Sequence, residues 1–172
     1  DQAIKNNSLQ WIYNILDKKA EVERVIVDAD AENQATGFVL VSDFQWDEKS
    51  LNSLHVIALP RRHDVHSLRD LRAEHIPLLQ NIWEKSTAAI EQKYQIPKSQ
   101  LRAYVHYLPS FYHFHVHFTR VSHISHGMEV ERAHLLQDVI ENLQLDKDYY
   151  AKKTLYFKVK ASSPLAAHQM QQ

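Results

Sequence analysis

The stretch His113-Phe114-His115-Val116-His117-Phe118-Thr119 carries a histidine at every second position, with Phe114, Val116 and Phe118 between them. In an extended strand successive side chains point to opposite faces, so this spacing predicts three imidazoles on one face and three apolar side chains on the other. Such a strand has a chemical side and a core side. Imidazole is the side chain whose ordinary pKa of about 6.5 lets it act as nucleophile, proton donor or metal ligand near neutral pH.

Working outward, Leu101 to Leu108 reads as a strand and Pro109-Ser110-Phe111-Tyr112 as a short connection into the histidine strand, which together describe a β-hairpin. A four-residue loop pairs Leu108 with His113 and His106 with His115. That register sets a fourth imidazole, His106, beside the middle histidine, because directly opposed side chains interact.

The rest of the chain supplies a scaffold. Residues Ser8 to Lys19 read as a helix with Ser8 as N-cap and an apolar stripe of Leu9, Ile12, Tyr13 and Leu16, from which Trp11 stands off. Strands are predicted at Arg24 to Val27, Phe38 to Val41 and Leu54 to Leu59, and again at Thr154 to Lys160 near the end. A long helix is predicted from Glu74 to Tyr94, with Leu79, Ile82, Trp83, Ser86 and Ile90 at helical spacing, and another from Glu129 to Leu143. Antiparallel groups of strands with helices on one side predict an α+β fold, one globular domain over 1–172.

Composition excludes several classes. A formal net charge of −1 argues against an extended nucleic-acid surface, so a nucleotide ligand should be small. The absence of cysteine removes disulfides, iron–sulfur clusters and thiolate zinc sites, and fits a reducing compartment. No apolar run approaches the ~20 residues of a membrane span, no signal peptide opens the sequence, and two glycines leave no glycine-rich phosphate loop.

Isolated histidines are usually structural, and His55, His63, His66, His75 and His168 are read that way. Three stacked imidazoles make poor core, since each buried ring needs a partner. Alternate histidines on a strand can also chelate zinc. Against that, the triplet holds no carboxylate, and Ser110 and Tyr112 supply hydroxyls where an anion needs donors. As a hydrolytic site, His115 is the nucleophile, His113 the group that fixes it, and His117 the donor near the leaving oxygen.

The pattern His-φ-His-φ-His-φ-φ, with φ apolar, resembles the signature of the histidine triad hydrolases, departing from it only at Thr119. Gln10 to Glu21, Ser67 to Leu71, His106 to His113 and Val130 to Leu136 resemble the C-terminal domain of the scavenger mRNA decapping enzymes. The resemblance implies a histidine triad fold and a reaction: hydrolysis of the 5′-5′ triphosphate bridge in cap dinucleotides or short capped RNA. It would release 7-methylguanosine monophosphate through a phosphohistidine on His115, with His113, His117 and His106 around it and neither metal nor cofactor. Trp11 matches the tryptophan that stacks on the methylated base, whose positive charge adds about 0.5–2 kcal/mol of cation–π attraction. Read without the resemblance, Trp11 packs against a second surface and Glu21 is a solvated charge at a helix end. With it, Glu21 matches the carboxylate that reads the guanine edge and Asp43 the next contact. Phe44 stands where the family has an aliphatic residue, and Gln45 replaces a lysine, keeping a hydrogen bond and losing a charge. His106, Ser110, Tyr112 and His117 complete the expected substrate contacts. The Arg61-Arg62-His63 run is read as a solvated loop.

The resemblance also implies a homodimer, residence in cytoplasm and nucleus, and an additional N-terminal domain that exchanges between subunits and closes over the cap. Two alternatives are a generic histidine triad hydrolase of dinucleoside polyphosphates or phosphoramidates, and a cap-binding module without turnover. The intact triplet argues against the second.

Overall fold

A computed structural model describes residues 9–124 and 127–158. Helix α1 spans Gln10–Leu16, followed by strands β1 (Val25–Ala29), β2 (Phe38–Ser42) and β3 (His55–Pro60). The long helix α2 (Ile76–Tyr94) leads to β4 (Leu101–His106) and β5 (Val116–Arg120), and a short strand β6 (Ala133–Leu135) runs directly into α3 (Leu136–Leu145) and α4 (Tyr149–Lys152). The strands form one antiparallel sheet in the order β1-β2-β3-β5-β4-β6, so the fold is α+β, of the histidine triad type. Among the described residues no helix is long and apolar enough to cross a membrane.

The sheet has two unlike faces because residues alternate across it. Phe38, Leu40, Val56, Ala58, Ala103, Val105, Val116 and Phe118 face the main core, where Leu79, Ile82 and Ile90 of α2 and Leu136, Val139 and Leu143 of α3 cover them. On the other face Val39, Val41, Ile57 and Leu59 pack against Ile12, Ile15 and Leu16 of α1. Helix α1 covers only one half of that face. His117 and Tyr104 share it, through the pairings Ile57↔His117 and Tyr104↔His117.

Arg61 clamps α1 to the sheet. Its guanidinium donates to the Leu16 carbonyl at 3.1 Å and pairs with Asp28, both side chains being mostly buried. Arg62 pairs instead with Asp64, and His63 stacks on Tyr13 with ring centroids 4.6 Å apart. This run is therefore not a solvated loop, because Arg61, together with Lys18, neutralises a carboxylate of β1. In the Ser67–Leu71 segment, Asp70 accepts from the Ser67 backbone N–H at 2.9 Å and the Ser67 hydroxyl accepts from that of Arg69 at 3.2 Å. That cap aims Arg69 at the Tyr150 carbonyl, 3.0 Å away, and ties α4 to the body.

Several expectations shift. The expected N-cap Ser8, and His168, lie outside the described residues, and Ile15, off the expected stripe of α1, is buried while Tyr13 is half-buried. The predicted helix from Glu129 starts only at Leu136, because Ala133–Leu135 pairs with the open edge of β4. The predicted strand from Thr154 has no regular structure over 154–158, and its last two residues lie outside the described ones; Leu155 packs on the core and Phe157 against Tyr107, at 5.5 Å, with no partner strand among the described residues.

Candidate active site

Only His117 of the triplet lies within a strand. β5 begins at Val116, and ahead of it the Phe114 N–H turns away from β4 to bond the Val65 carbonyl at 3.0 Å. The hairpin register is as expected, with Ala103↔Phe118 and Tyr104↔His117, but the ladder closes there and His106 pairs with Ala133 of β6. The three imidazoles are thus not presented by one strand face. His106 also lies beside the third histidine rather than the second: its ring centroid is 4.3 Å from that of His117. Gly127, at φ 98°, closes over His106, and a Cβ there would stand 3.2 Å from Nε2.

Each triplet histidine has its own anchor. His113 Nε2–H donates to the Pro60 carbonyl at 2.9 Å, and the ring faces Tyr13 and His63, away from the other two. His115 Nδ1–H donates at 2.8 Å to the carbonyl oxygen of His113, so the group that fixes His115 is the backbone of His113 and not its ring. A carbonyl only accepts, which places the proton of neutral His115 on Nδ1 and the lone pair on Nε2. That Nε2 is buried without a hydrogen-bond partner among the described residues. Phe111 stacks on the His115 ring at 4.0 Å and 19°, covering its face while the lone pair lies in the ring plane. His117 Nδ1 is 3.0 Å from Nε2 of His55, and its own Nε2 is buried with no hydrogen-bond partner among the described residues.

Burial sets the charge state. It pushes His115 down to about 3, against the opposing effect of the His113 carbonyl. His113 is lowered to about 4 by burial, and His106 to about 4 by burial and the nearby Arg132. His117 falls well below the ordinary value through burial and then through its histidine neighbours. All four rings are neutral at pH 7, and a neutral imidazole is the form with a nucleophilic lone pair.

A cleft of about 350 Å³ lies over this cluster, lined on one side by Trp11, Phe44 and Phe111 and on the other by His106, His117 and Arg132. Asp43, Gln45, His55 and Ser110 also line it. Trp11 makes edge contacts with Phe44 at 5.3 Å and Phe111 at 5.2 Å, which leaves an aromatic wall at this end. Phe44 is itself held by the Arg24 guanidinium, 4.6 Å above its ring, while that guanidinium donates to the Ser42 and Asp43 carbonyls. Asp43 Oδ1 accepts from the Gln45 N–H at 2.8 Å, a local turn that fixes its carboxylate at the end of β2.

His115 does not itself line the cleft; it sits directly beneath, between Phe111 and His117. Glu21 ends the turn after α1 in a left-handed conformation, φ 56°, outside the lining residues, and the exposed Tyr112 is outside them too. Arg132, His55, Tyr104 and Phe111 line the cleft without having been singled out. Arg132 lies in the Val130–Leu136 segment, and the Tyr107 N–H bonds its carbonyl at 2.9 Å, setting it beside His106. His55 was read as structural, yet the β3–β5 pairing delivers it to His117. Among the described residues the group whose donors converge enough for a metal ion is Asp43, His55 and His117, each offering an atom within 4.8 Å of the others. It includes one member of the triplet.

A family model described as "Scavenger mRNA decapping enzyme C-term binding" matches residues 10–133, which span Trp11, the cleft residues, the triplet and Arg132. The chain belongs to the scavenger mRNA decapping enzyme family. It is similar to the m7GpppX diphosphatases of Sus scrofa, 49% identical over 158 residues, and of Homo sapiens, 48% identical over 158 residues. Each match covers 92% of this chain and 46% of the relative. The m7GpppX diphosphatase of Schizosaccharomyces pombe is 40% identical over 153 residues, covering 88% of this chain and 49% of the relative. The chain spans about half the length of the curated relatives it matches.

Proposed function

We propose that this domain hydrolyses the triphosphate bridge of 7-methylguanosine cap dinucleotides or short capped RNA, with His115 as nucleophile. The observation that carries this is the His115 imidazole, buried, neutral, fixed by a backbone carbonyl with its Nε2 lone pair unspent, beneath a cleft that ends in an aromatic wall. The relatives are named m7GpppX diphosphatases, which supports the substrate class.

In this reading the methylated base stacks at Trp11 and Phe44, where an indole face favours a cationic ring over a neutral one. Asp43, which lines the cleft, accepts from the nucleoside, and Glu21, outside that lining, is assigned to the guanine edge on the family resemblance alone. The triphosphate runs along Ser110 and Arg132 toward the histidines. Nε2 of His115 is buried, so the phosphate reaches it as Phe111 and its loop shift aside; connecting loops are the segments of a fold that move most readily. The N–P bond forms as the bond from that phosphorus to the bridging oxygen breaks, and the positive charge gained by His115 is met by the His113 carbonyl. The leaving nucleoside diphosphate departs as an anion, its terminal phosphate having a second pKa of about 6. Water then attacks the phosphohistidine, releasing 7-methylguanosine monophosphate and restoring the imidazole.

A homodimer, closure by a second domain, and residence in cytoplasm and nucleus belong to the same proposal on the strength of the family resemblance. The test of function compares cap dinucleotide with its unmethylated counterpart and with a dinucleoside polyphosphate. Preferential hydrolysis of the methylated compound to 7-methylguanosine monophosphate is expected. Equal rates on all three point to a generic histidine triad hydrolase, and binding without turnover to a cap-binding module.

A further inference from the structure

We propose that Phe111 is a specificity-determining residue that ties base recognition to catalysis: its ring bars His115 from the cleft and meets Trp11, so that a base stacking on Trp11 displaces it and opens the way to the nucleophile.

Phe111 makes two ring contacts that belong to different parts of the proposed reaction. It stacks on His115, with centroids 4.0 Å apart and planes 19° from parallel. Toward Trp11 it stands edge-on, at 5.2 Å and 84°. Phe111 lines the cleft and His115 does not, while His117 stands against His115 at 4.9 Å. The cleft, about 350 Å³, is at the small end of ligand pockets, which run to about 1,000 Å³. A stacked base needs a face-to-face approach, and an edge-on neighbour at this distance leaves no gap for one between itself and the indole. Seating a base against Trp11 and bringing a phosphate to His115 therefore both call for space that one phenyl ring fills.

The surroundings of the three rings decide which of them gives way. Trp11 is carried by α1, whose Ile12, Ile15 and Leu16 are buried against the sheet and whose last turn is held by Arg61. Phe44, 5.3 Å from Trp11, lies under the Arg24 guanidinium, which also holds the Ser42 and Asp43 carbonyls at the end of β2. Phe111 sits in the stretch between β4 and β5, which has neither helix nor strand. The backbone there is tied at Tyr107, to the Arg132 carbonyl at 2.9 Å, and at Phe114, to the Val65 carbonyl at 3.0 Å, and Phe111 stands between the two ties. Its half-buried ring is thus the movable member of the three. A methylated, cationic base gains more at the indole face than a neutral one, so it displaces Phe111 more often, and selectivity for the cap enters kcat as well as KM.

The inference rests on the reading that a methylated base sits at Trp11 and a phosphate at His115, and its test needs no turnover. Diethyl pyrocarbonate acylates neutral imidazoles, and trypsin, cutting the 172-residue chain after Arg102 and Arg120, releases residues 103–120 for mass spectrometry of the modified His115. The probe is 7-methylguanosine, a nucleoside with no phosphate to occupy the histidines. It is expected to speed acylation of His115 in wild-type protein by about fivefold, and guanosine at the same concentration by less than about twofold. Trp11→Ala should abolish the effect. Phe111→Ala should be acylated fast with or without the nucleoside, and its preference for methylated over unmethylated cap dinucleotide should fall about tenfold in kcat/KM. Unchanged or slowed acylation of His115 in wild-type protein overturns the inference, whether or not either variant folds, and so does a methyl preference undiminished in Phe111→Ala. Acceleration in a protein that hydrolyses no capped nucleotide supports the coupling and defeats the cap-hydrolysis reading instead. Methyl-selective hydrolysis without acceleration keeps that reading and defeats the coupling.

Discussion

His115 Nδ1–H reaches the carbonyl oxygen of His113 at 2.8 Å, so the imidazole proposed as nucleophile is oriented by the backbone of the residue two before it. Orientation of this kind survives loss of the His113 ring and not of the His115 ring. Accordingly His115→Asn should abolish cap hydrolysis, by at least about 10³-fold since the covalent route is lost, and leave binding of 7-methylguanosine nucleotides within about twofold by fluorescence titration. Loss of binding in parallel with turnover would show that His115 holds the substrate rather than attacking it.

Trp11 forms the end wall of the cleft with Phe44 and Phe111. Trp11→Ala is expected to weaken 7-methylguanosine monophosphate by about 0.5–2 kcal/mol more than guanosine monophosphate, the added attraction of a cationic base for an indole face. Isothermal titration with both nucleotides measures it. Identical losses would assign Trp11 to packing.

The buried histidines also predict a pH dependence of stability. His106 and His113 have folded pKa values of about 4 and His115 of about 3, all pushed down first by burial. Between those values and the ordinary 6.5 the unfolded chain binds more protons than the folded one, so stability is fully present above about pH 6.5 and falls as pH drops. Each ring contributes at most about 1.4 kcal/mol per pH unit. Urea midpoints should fall clearly from pH 7.5 to pH 5. His106→Phe should flatten the trend, and a midpoint that does not move would contradict the neutral, buried state of the cluster.

Much of this was legible in the order of residues. Short apolar runs marked β2, β3 and β4, the 3.6-residue period marked α2, and the hairpin register followed from a four-residue turn. What escaped was non-local. The β3–β5 pairing that brings His55 to His117 joins strands about sixty residues apart, and nothing in either segment announces its neighbour. Likewise β6 is a three-residue edge whose apolar residues blend into the periodicity of α3, and it is the strand that positions Arg132. Phe111 was passed over because its role is to stack on a ring four residues later, a contact set by the turn and not by a pattern.

The clamp between α1 and the sheet gives a contrast in stability. Arg61→Ala leaves the mostly buried Asp28 with the exposed Lys18 as its remaining cation, and should lower stability by about 2 kcal/mol. Arg62→Ala breaks a pair whose carboxylate partner, Asp64, is largely exposed, and should change it by less than about 1 kcal/mol. Thermal unfolding of the two variants side by side checks this, and similar shifts would mean that Arg61 does not anchor α1.

Asp43, His55 and His117 could gather a divalent ion, whereas the proposed chemistry uses the histidines directly. Prolonged treatment with a strong chelator should leave hydrolysis of cap dinucleotide unchanged within error. A loss that zinc restores would replace the nucleophilic account with a metal-assisted one.

The central claim is that phosphate passes through His115. Cap dinucleotide labelled at the phosphate next to 7-methylguanosine, mixed with excess protein and quenched within one turnover, tests it most directly. The account predicts label on the protein as an acid-labile phosphohistidine that decays to labelled 7-methylguanosine monophosphate, and none on His115→Asn. Hydrolysis at the wild-type rate with no labelled protein at any time, or labelling that persists in His115→Asn, would contradict it.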